Sequence, residues 1–248
     1  MDQPSLHEPT GKRQAGSMTT TLITGANKGL GYETARQLIG LGHTVYLGAR
    51  NEDRGRAAAA ALGTPFVLID VTDDASVQRA AEAVRQQAGT LDVLINNAGI
   101  SGAHKPLTDL AGAEALELLD TNVAGIVRVT NAMLPLMQAS GNPVIVNVSS
   151  GLGSIPIALD PDRVESATPP LLYSATKAAV TMLSFQYSRA LAGMRVNAVD
   201  PGYTATDLNG NQGTQSIGEG VIAIVRMATL GPEGPTGTFQ DRSGPAQV

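Results

Sequence analysis

The sequence predicts a single α/β domain with a doubly wound, mostly parallel, seven-stranded sheet and helices on both of its faces. Short, β-rich apolar runs alternate with helical runs along the chain, an order that produces a parallel sheet. The first apolar run leads directly into a glycine-rich turn and a helix. The run PVIVNVSS is apolar enough for a central strand that is buried on both faces. A length of 248 residues suits one large domain with a substantial core.

The first strand, about Thr19 to Thr24, runs into the turn GANKGLG and then into a helix. Glycines spaced GxxxGxG let the backbone turn tightly and point amide groups at negative charge, as a pyrophosphate needs. A strand before the turn and a helix after it are the context of a Rossmann-type dinucleotide site, and a phosphate loop is excluded because no GK[ST] follows. The cofactor-binding residues expected in this turn are Gly25, Asn27, Lys28, Gly29, Leu30 and Gly31.

The second strand, His43 to Leu47, ends in GARNEDR and indicates which dinucleotide binds. At this point a carboxylate grips the ribose 2′-hydroxyl of NAD, whereas an arginine accommodates the 2′-phosphate of NADP. This chain offers Arg50, and Lys28 adds a second cation. We therefore expect NADP(H) rather than NAD(H). The alternative is that both cations only solvate the surface.

The middle of the chain continues the alternation. After a helix over DRGRAAAAALG, the third strand, TPFVLID, ends at Asp70 and Val71, and a helix follows to about Ala88. The fourth strand, LDVLIN, stops at NNAG, and a long helix is expected from about Ala113 to Ala139. In an open parallel sheet, ligands bind beyond the carboxyl ends of the strands, so these motifs are expected to lie together at that edge of the sheet.

The last third supplies another helix, two strands and an irregular segment. Pro169 and Pro170 precede the helix that contains LLYSATKAAV, and Gly193 closes it. The sixth strand lies in MRVNAVDPG, and Gly237 to Gln240 forms a short last strand. Residues 203–220 are polar and glycine-rich, so a mobile loop is expected there, before the helix VIAIVRMATL. A loop of that length in a compact domain is either a lid over the substrate or disorder.

Tyr173 and Lys177 are four residues apart, so they lie on one face of this helix. A free phenol titrates near ~10, and roughly 4 kcal/mol of extra phenolate stabilisation would bring its pKa to neutrality. An ammonium about 4 Å away supplies this only where water is partly excluded. The pair therefore predicts a proton donor inside a pocket. Alone, YxxxK is weak evidence, because Tyr and Lys are common on helices and the spacing is far more often that of a solvated helix face.

Composition excludes several other classes of protein. The net charge is −5 with no basic stripe, so nucleic acid is not an expected partner. The absence of cysteine excludes disulfides and thiolate metal sites, and fits a cytoplasmic location. The histidines, His7, His43 and His104, are too scattered for a zinc site. Residues 1–17 are expected to be a disordered leader before a domain of residues 18–248, and no stretch is apolar enough to span a membrane.

With these motifs in place, the chain resembles a short-chain dehydrogenase/reductase of the single-domain type over about Thr19 to Asp241. The motifs occur in the family's order: TGANKGLG, NNAG, Asn122 in DTNVAG, Ser150 in NVSS, YSATK and PGYTAT. The resemblance is strongest to carbonyl-reductase-like members, which reduce aldehydes and ketones with NADPH. It implies the same activity here, with a small-molecule carbonyl or alcohol as substrate.

The resemblance also implies a role for each catalytic residue. Tyr173 would protonate the carbonyl oxygen as hydride arrives, and Lys177 would lower the pKa of the tyrosine and hold the nicotinamide ribose. Ser150 would hydrogen-bond the substrate oxygen, although Ser149 competes for that role. Asn122 would fix a water that links Lys177 to solvent, unless it only kinks or caps its helix.

Further cofactor contacts implied by the resemblance lie after the third, fourth and sixth strands. They are Asp70 and Val71 at the adenine, Asn97, Ala98 and Gly99 beneath the adenosine ribose, and Pro201, Gly202, Thr204 and Thr206 at the carboxamide. The segment between Ser150 and Tyr173 is longer than in the commonest members, so residues 152–170 are expected to be an insertion over the substrate pocket. In the carbonyl-reductase-like group a larger insertion is associated with monomers, and the intermediate size here leaves both a monomer and a homo-oligomer open. Asp200 has no role in the pattern.

Two other functions stay open at this stage. The chain could oxidise a secondary alcohol, for example in a secondary-metabolite pathway, because the same reaction runs in both directions. It could also be a non-catalytic NADP(H)-sensing module. A pure binder has no need of the complete set Asn122, Ser150, Tyr173 and Lys177, which argues against the second alternative.

Overall fold

The protein is described by a computed structural model that covers residues 18–102, 105–167 and 170–248. The leader 1–17, His104 and Pro169 lie outside the described residues. The strands are β1 (Thr20–Ile23), β2 (Thr44–Ala49), β3 (Phe66–Leu68), β4 (Val93–Asn96), β5 (Val144–Val148), β6 (Arg195–Val199), β7 (Phe239–Asp241) and β8 (Gly244–Pro245). The helices are α1 (Gly29–Gly40), α2 (Glu52–Leu62), α3 (Asp74–Ala88), α4 (Gly112–Leu119), α5 (Gly125–Gln138), α6 (Ile155–Leu159), α7 (Leu171–Ala190), α8 (Ile217–Gly220) and α9 (Ile222–Ala228).

The strands form one sheet in the order β3-β2-β1-β4-β5-β6-β7-β8. All neighbours from β3 to β7 are parallel, which confirms the predicted doubly wound sheet, and only β8 runs antiparallel, beside β7. The two residues of β8 make an eighth strand that the sequence pattern did not predict. The chain returns to the middle of the sheet between β3 and β4, so a crevice opens beyond the carboxyl ends of β1 and β4.

Helices cover both faces of the sheet, and each face has its own apolar core. On one face, residues of α1, α2 and α9, such as Leu38 and Ile224, pack against β1 and β2. On the other face, residues of α3 and α5, such as Val84 and Met133, pack against the sheet. All five residues of β5 are buried, as expected of a central strand.

Two predicted elements differ in detail. The long helix expected from about Ala113 to Ala139 is divided into α4 and α5 by a π-helical turn, Asp120–Ala124. The segment 203–220, expected to be a lid, is internally paired: Thr204 forms a parallel bridge with Gln215, and a 3₁₀ turn spans Asp207–Asn209. Local periodicity reveals neither a π-helical turn within a helical run nor a pairing between residues eleven positions apart.

Candidate active site

The glycine turn between β1 and α1 leaves no room for side chains. Gly25 and Gly29 have φ angles of +64° and +57°, which L-residues rarely adopt. A Cβ at Gly25 would lie 2.9 Å from Cα of Ala98, and one at Gly31 would lie 2.6 Å from Nδ2 of Asn97. A ligand can therefore approach the backbone amides at the start of α1, and this cradle fits a dinucleotide pyrophosphate. Asn27 is half-buried in the turn, and Leu30 packs against the core.

The NNAG motif after β4 is tied to this turn. Nδ2 of Asn97 donates to the carbonyls of Thr24, at 2.9 Å, and Gly25, at 3.1 Å. The backbone N–H groups of Asn97 and Ala98 both donate to the Thr24 hydroxyl, each at 3.0 Å. A Cβ at Gly99 would lie 3.7 Å from Nζ of Lys177. The motif therefore spans the space between the glycine turn and the helix of the predicted catalytic pair.

The two cations predicted for the 2′-phosphate have different surroundings. Arg50 is exposed just after β2, and its charge acts on the carboxylate of Asp70. Nζ of Lys28 lies 2.8 Å from Oδ2 of Asp207, in the segment after β6. Both members of this ion pair are largely exposed, so the contact is weak and open to competition by another anion. The pair nevertheless joins the glycine turn to the predicted lid.

Asp70 and Val71, which the resemblance implies at the adenine, follow β3. Burial raises the pKa of the Asp70 carboxyl, but hydrogen bonds from the backbone and hydroxyl of Thr72 outweigh burial and the net pKa is lowered. The side chain is therefore a well-held anion at neutral pH. Val71 is buried, and its side chain would be only 3.0 Å from a Cβ at Gly125 of α5.

Asn122 lies in the π-helical turn and is almost completely buried. Its Oδ1 accepts from the backbone N–H of Ile100 at 2.9 Å, and its Nδ2 donates to the carbonyl of Ile100 at 2.9 Å and to Oγ1 of Thr176 at 3.0 Å. The side chain therefore connects the loop after β4 to α7. This accords with the kink interpretation of Asn122, and its role in holding a water stays a prediction.

The two serines after β5 point to different partners. Oγ of Ser149 donates to the carbonyl of Lys177 at 2.9 Å and contacts Oγ1 of Thr181 at 2.7 Å, so this hydroxyl is used for packing against α7. Ser150 hydrogen-bonds the phenol of Tyr173. It also accepts a longer bond, 3.3 Å, from the backbone N–H of Leu152. The geometry therefore favours Ser150 over Ser149 as the hydroxyl that faces a substrate oxygen.

Tyr173 and Lys177 lie one turn apart on α7, on the face that meets the carboxyl end of β5. Nζ of Lys177 is 5.4 Å from the centroid of the Tyr173 ring and donates to the carbonyl of Val148 at 2.8 Å. Only 5% of Lys177 is exposed. Lys177 is therefore shielded from water, and Tyr173 beside it is half-buried. This is the partly water-excluded setting in which an ammonium acts strongly on a neighbouring phenol.

The pKa values of this pair differ from the expectation that Lys177 lowers the pKa of the tyrosine. Burial raises the pKa of the Tyr173 phenol, the charge of Asp200 raises it further, and the bond from Ser150 lowers it. Burial lowers the pKa of Lys177 to about 8, while Asp200 raises it. In this structure desolvation is therefore the dominant influence on both groups, and the phenol is a protonated acid at neutral pH.

The turn after β6, predicted to contact the carboxamide, is built on a glycine. Gly202 has a φ of +69°, and Pro201 and Gly202 are half-buried. Thr204 is buried, and its hydroxyl donates to the carbonyl of Pro201 at 2.9 Å. Thr206 would be 3.8 Å from a Cβ at Gly29, so this segment crosses the crevice to the glycine turn. The predicted cofactor residues thus lie along the edge of the sheet formed by the carboxyl ends of its strands.

The structure also reveals neighbours of the site that the motifs did not single out. Thr176 is bonded to Asn122, and Gly153 lies directly against the backbone of α7. Arg163 and Glu165 of the insertion form an ion pair beside Asp200. Of these, only Asp200 carried a signal in the sequence, as a charge next to the PG turn.

Within residues 18–102, 105–167 and 170–248, no group of three or more His, Cys, Asp or Glu side chains could hold a metal ion. No helix in the same ranges has the length and apolar character needed to cross a membrane.

The chain is similar to known proteins in both sequence and structure. The short chain dehydrogenase family model matches residues 19–216. Short-chain dehydrogenase anuI of Penicillium roqueforti is 38% identical over 85% of this chain and 88% of its own length. (−)-Isopiperitenone reductase of Mentha piperita is 31% identical over 89% of this chain and 95% of its own. The structure of NADPH-bound carbonyl reductase from chicken fatty liver superimposes with a TM-score of 0.82 at 25% identity, covering 93% of this chain and 99% of its own.

Proposed function

The chain belongs to the short-chain dehydrogenase family, and from this premise we propose that it is an NADPH-dependent carbonyl reductase that converts a ketone or aldehyde to an alcohol. The observation that carries the proposal is the convergence of the half-buried Tyr173 and Ser150 with the buried Lys177 beside a glycine cradle. Relatives named as reductases, and a neighbouring structure that binds NADPH, support the cofactor and the direction.

The glycine turn, Arg50 and Lys28 would hold the cofactor. The turn presents backbone amides to the pyrophosphate, and Arg50 would meet the 2′-phosphate. Lys28 can reach the same phosphate if it leaves Asp207, since both members of that pair are exposed. The bound cofactor supplies a hydride to the carbonyl carbon.

Tyr173 and Ser150 act on the carbonyl oxygen. As the carbon gains a hydride, the C=O π pair moves to the oxygen, which takes the proton of the Tyr173 hydroxyl and becomes an alcohol. Ser150 donates a hydrogen bond to that oxygen and stabilises the charge that develops on it. Because burial and Asp200 keep the phenol protonated, Tyr173 is in the correct state to act as the acid.

Lys177 compensates the negative charge that appears on Tyr173 during the reaction. Its ammonium, beside the Tyr173 ring, stabilises the phenolate left after proton transfer. A proton from solvent then restores the phenol. We propose that this proton passes through a water held by Asn122, which links Lys177 to solvent.

The insertion suggests an apolar substrate. Ile155 and Leu159 of α6 are 73% and 75% exposed, the two highest values for large apolar side chains among the described residues, and they lie one turn apart in the segment expected over the pocket. We propose cyclic ketones and bulky aldehydes as the first substrates to examine.

The test is NADPH oxidation, followed at 340 nm, over aldehydes, cyclic ketones, quinones and β-keto esters. Tyr173→Phe should lower kcat by about 10²- to 10⁴-fold with any accepted substrate, as for loss of a general acid, while NADPH binding, followed by its fluorescence, is retained. The matched control is Tyr187→Phe, a half-buried tyrosine on the same helix, which should keep its activity. If Tyr173→Phe keeps most of its turnover, the assigned acid is wrong. If NADPH binds tightly but nothing is turned over, the sensing alternative is supported.

A further inference from the structure

Asp200 is a buried carboxylate at the carboxyl end of β6, for which the proposed reaction has no use. Only 3% of the residue is exposed. Its Oδ1 accepts from the backbone N–H of Gly202 at 2.9 Å, and the backbone N–H of Gly151 also donates to the carboxylate. Gly151 follows the catalytic Ser150, and Gly202 belongs to the turn predicted for the carboxamide. One carboxylate therefore ties the substrate side of the site to the cofactor side.

The insertion brings a second carboxylate to the same place. A Cβ at Gly151 would lie 2.9 Å from Oδ2 of Asp200 and 2.9 Å from Oε1 of Glu165, so the two carboxylates meet over this glycine. Glu165 is held there by Arg163, with Nη2 to Oε1 at 3.1 Å and Nε to Oε2 at 3.2 Å. Only 8% of the Glu165 side chain is exposed, compared with 40% of Arg163.

The charged and titratable groups around Asp200 come from three directions. Glu165 and Arg163 face it from the insertion, and Tyr173 and Lys177 feel its charge from α7. Asp241 of β7 acts on Arg163. Burial raises the pKa of Asp200 above its usual value and Glu165 raises it further, whereas the bonds from Gly202 and Gly151 and the charge of Arg163 lower it. Asp200 is the acid of this cluster whose charge acts on both members of the catalytic pair.

We infer that Asp200 is a positioning residue of the reaction. Through Gly151 and Gly202 it holds the turn after Ser150 against the turn predicted for the carboxamide. Its negative charge favours the state in which Tyr173 and Lys177 both carry their protons. The inference rests on the proposed function. That state is the one from which reduction starts, because Tyr173 gives up its proton and the Lys177 ammonium stabilises the phenolate. Glu165 and Arg163 belong to the insertion and act on the pKa of Asp200 in opposite directions, so the insertion influences the charge of Asp200.

The first readout does not depend on turnover. The chain has four lysines, at positions 12, 28, 105 and 177, so ¹³C labelling at lysine Cε gives few NMR signals, and Lys177→Arg identifies that of Lys177. Asp200→Asn, which keeps the shape of the side chain, should lower the pH at which Lys177 titrates by about half a unit or more. Arg163→Gln removes a positive charge and should raise that pH.

The second readout is the alkaline limb of kcat/KM for carbonyl reduction. It should move in the same direction as the NMR midpoint, down in Asp200→Asn and up in Arg163→Gln. Asp162→Asn, an exposed acid of the same insertion, is the control and should leave both readouts unchanged. If Asp200→Asn does not fold, Glu165→Gln replaces it, with a smaller shift of the same sign.

Opposite signs for the two charge changes support the inference, since a merely structural role would not produce them. An unchanged Lys177 midpoint in Asp200→Asn, or shifts of the same sign in Asp200→Asn and Arg163→Gln, would overturn it. Expected NMR shifts in a protein that reduces no carbonyl would instead overturn the proposed function alone.

Discussion

Gly153→Ala adds one methyl group and should push the turn after Ser150 away from α7, which carries Tyr173 and Lys177. Gly153 ends the 3₁₀ turn that begins after Ser150. A Cβ at this position would lie 2.5 Å from the carbonyl carbon of Lys177 and 2.6 Å from the backbone nitrogen of Ala178. Both atoms are backbone atoms of α7, so no side chain can rotate away to make room.

The size of the effect follows from these distances. Ordinary contact begins near 3.4 Å, so the Ser150 turn and α7 must separate by roughly 1 Å, an overpacking that costs about 1–3 kcal/mol. In a protein of this length, each kcal/mol lowers Tm by about 2–4 °C. A misplacement of about 1 Å between reacting groups costs about 10²-fold in rate. We therefore expect a large loss of kcat with a moderate loss of stability.

The measurements are NADPH oxidation with the best substrate of the panel and thermal unfolding. Gly40→Ala is the matched control, because this glycine is exposed at the end of α1 and has no neighbouring heavy atom within 4 Å of a new Cβ. It should retain full activity. Full turnover and an unchanged Tm in Gly153→Ala would show that the contact with α7 does not set the geometry of the site.

Three further predictions concern the cofactor and pH. Arg50→Ala should raise KM for NADPH by about 10- to 100-fold, the loss typical of a charge-assisted hydrogen bond, with KM for NADH unchanged; equal effects on both cofactors would contradict a 2′-phosphate contact. Asp207→Asn should release Lys28 and tighten NADPH binding by roughly 2- to 5-fold at low salt, less at high salt, whereas an unchanged Kd would show that Lys28 does not reach the phosphate. Because burial lowers the pKa of Lys177 to about 8, its ammonium is lost as pH rises through that value, and kcat/KM for reduction should fall above it; a flat profile to pH 10 would contradict this assignment.

The strands and the glycine turn could be predicted because local pattern determines them. The continuous apolar run of β5 identifies a strand buried on both faces, and the strand-turn-helix order around Gly25 to Gly31 identifies the cradle. Tyr173 and Lys177 were placed on one face by helical spacing alone. In each case the relevant residues are neighbours in the chain, so a periodicity or spacing contains the information.

What could not be predicted depends on contacts between distant residues. The break at Asp120–Ala124 is accompanied by bonds from Asn122 to Ile100 and Thr176. The ion pair of Lys28 with Asp207 joins residues 179 positions apart. The direction of the Tyr173 pKa depends on burial and on Asp200, neither of which the YxxxK spacing reports. Such features arise only when the elements pack.

The two outermost strands of the sheet have a consequence for behaviour in concentrated solution. β3 has three residues and β8 has two, one of them Pro245, which has no N–H to donate. Sheet edges with many unpaired backbone groups recruit strands from other molecules, and short, proline-bearing borders discourage this. The long apolar strands, which are the most aggregation-prone segments of such a fold, are confined to the interior of the sheet. We therefore expect the folded chain to resist edge-to-edge polymerisation.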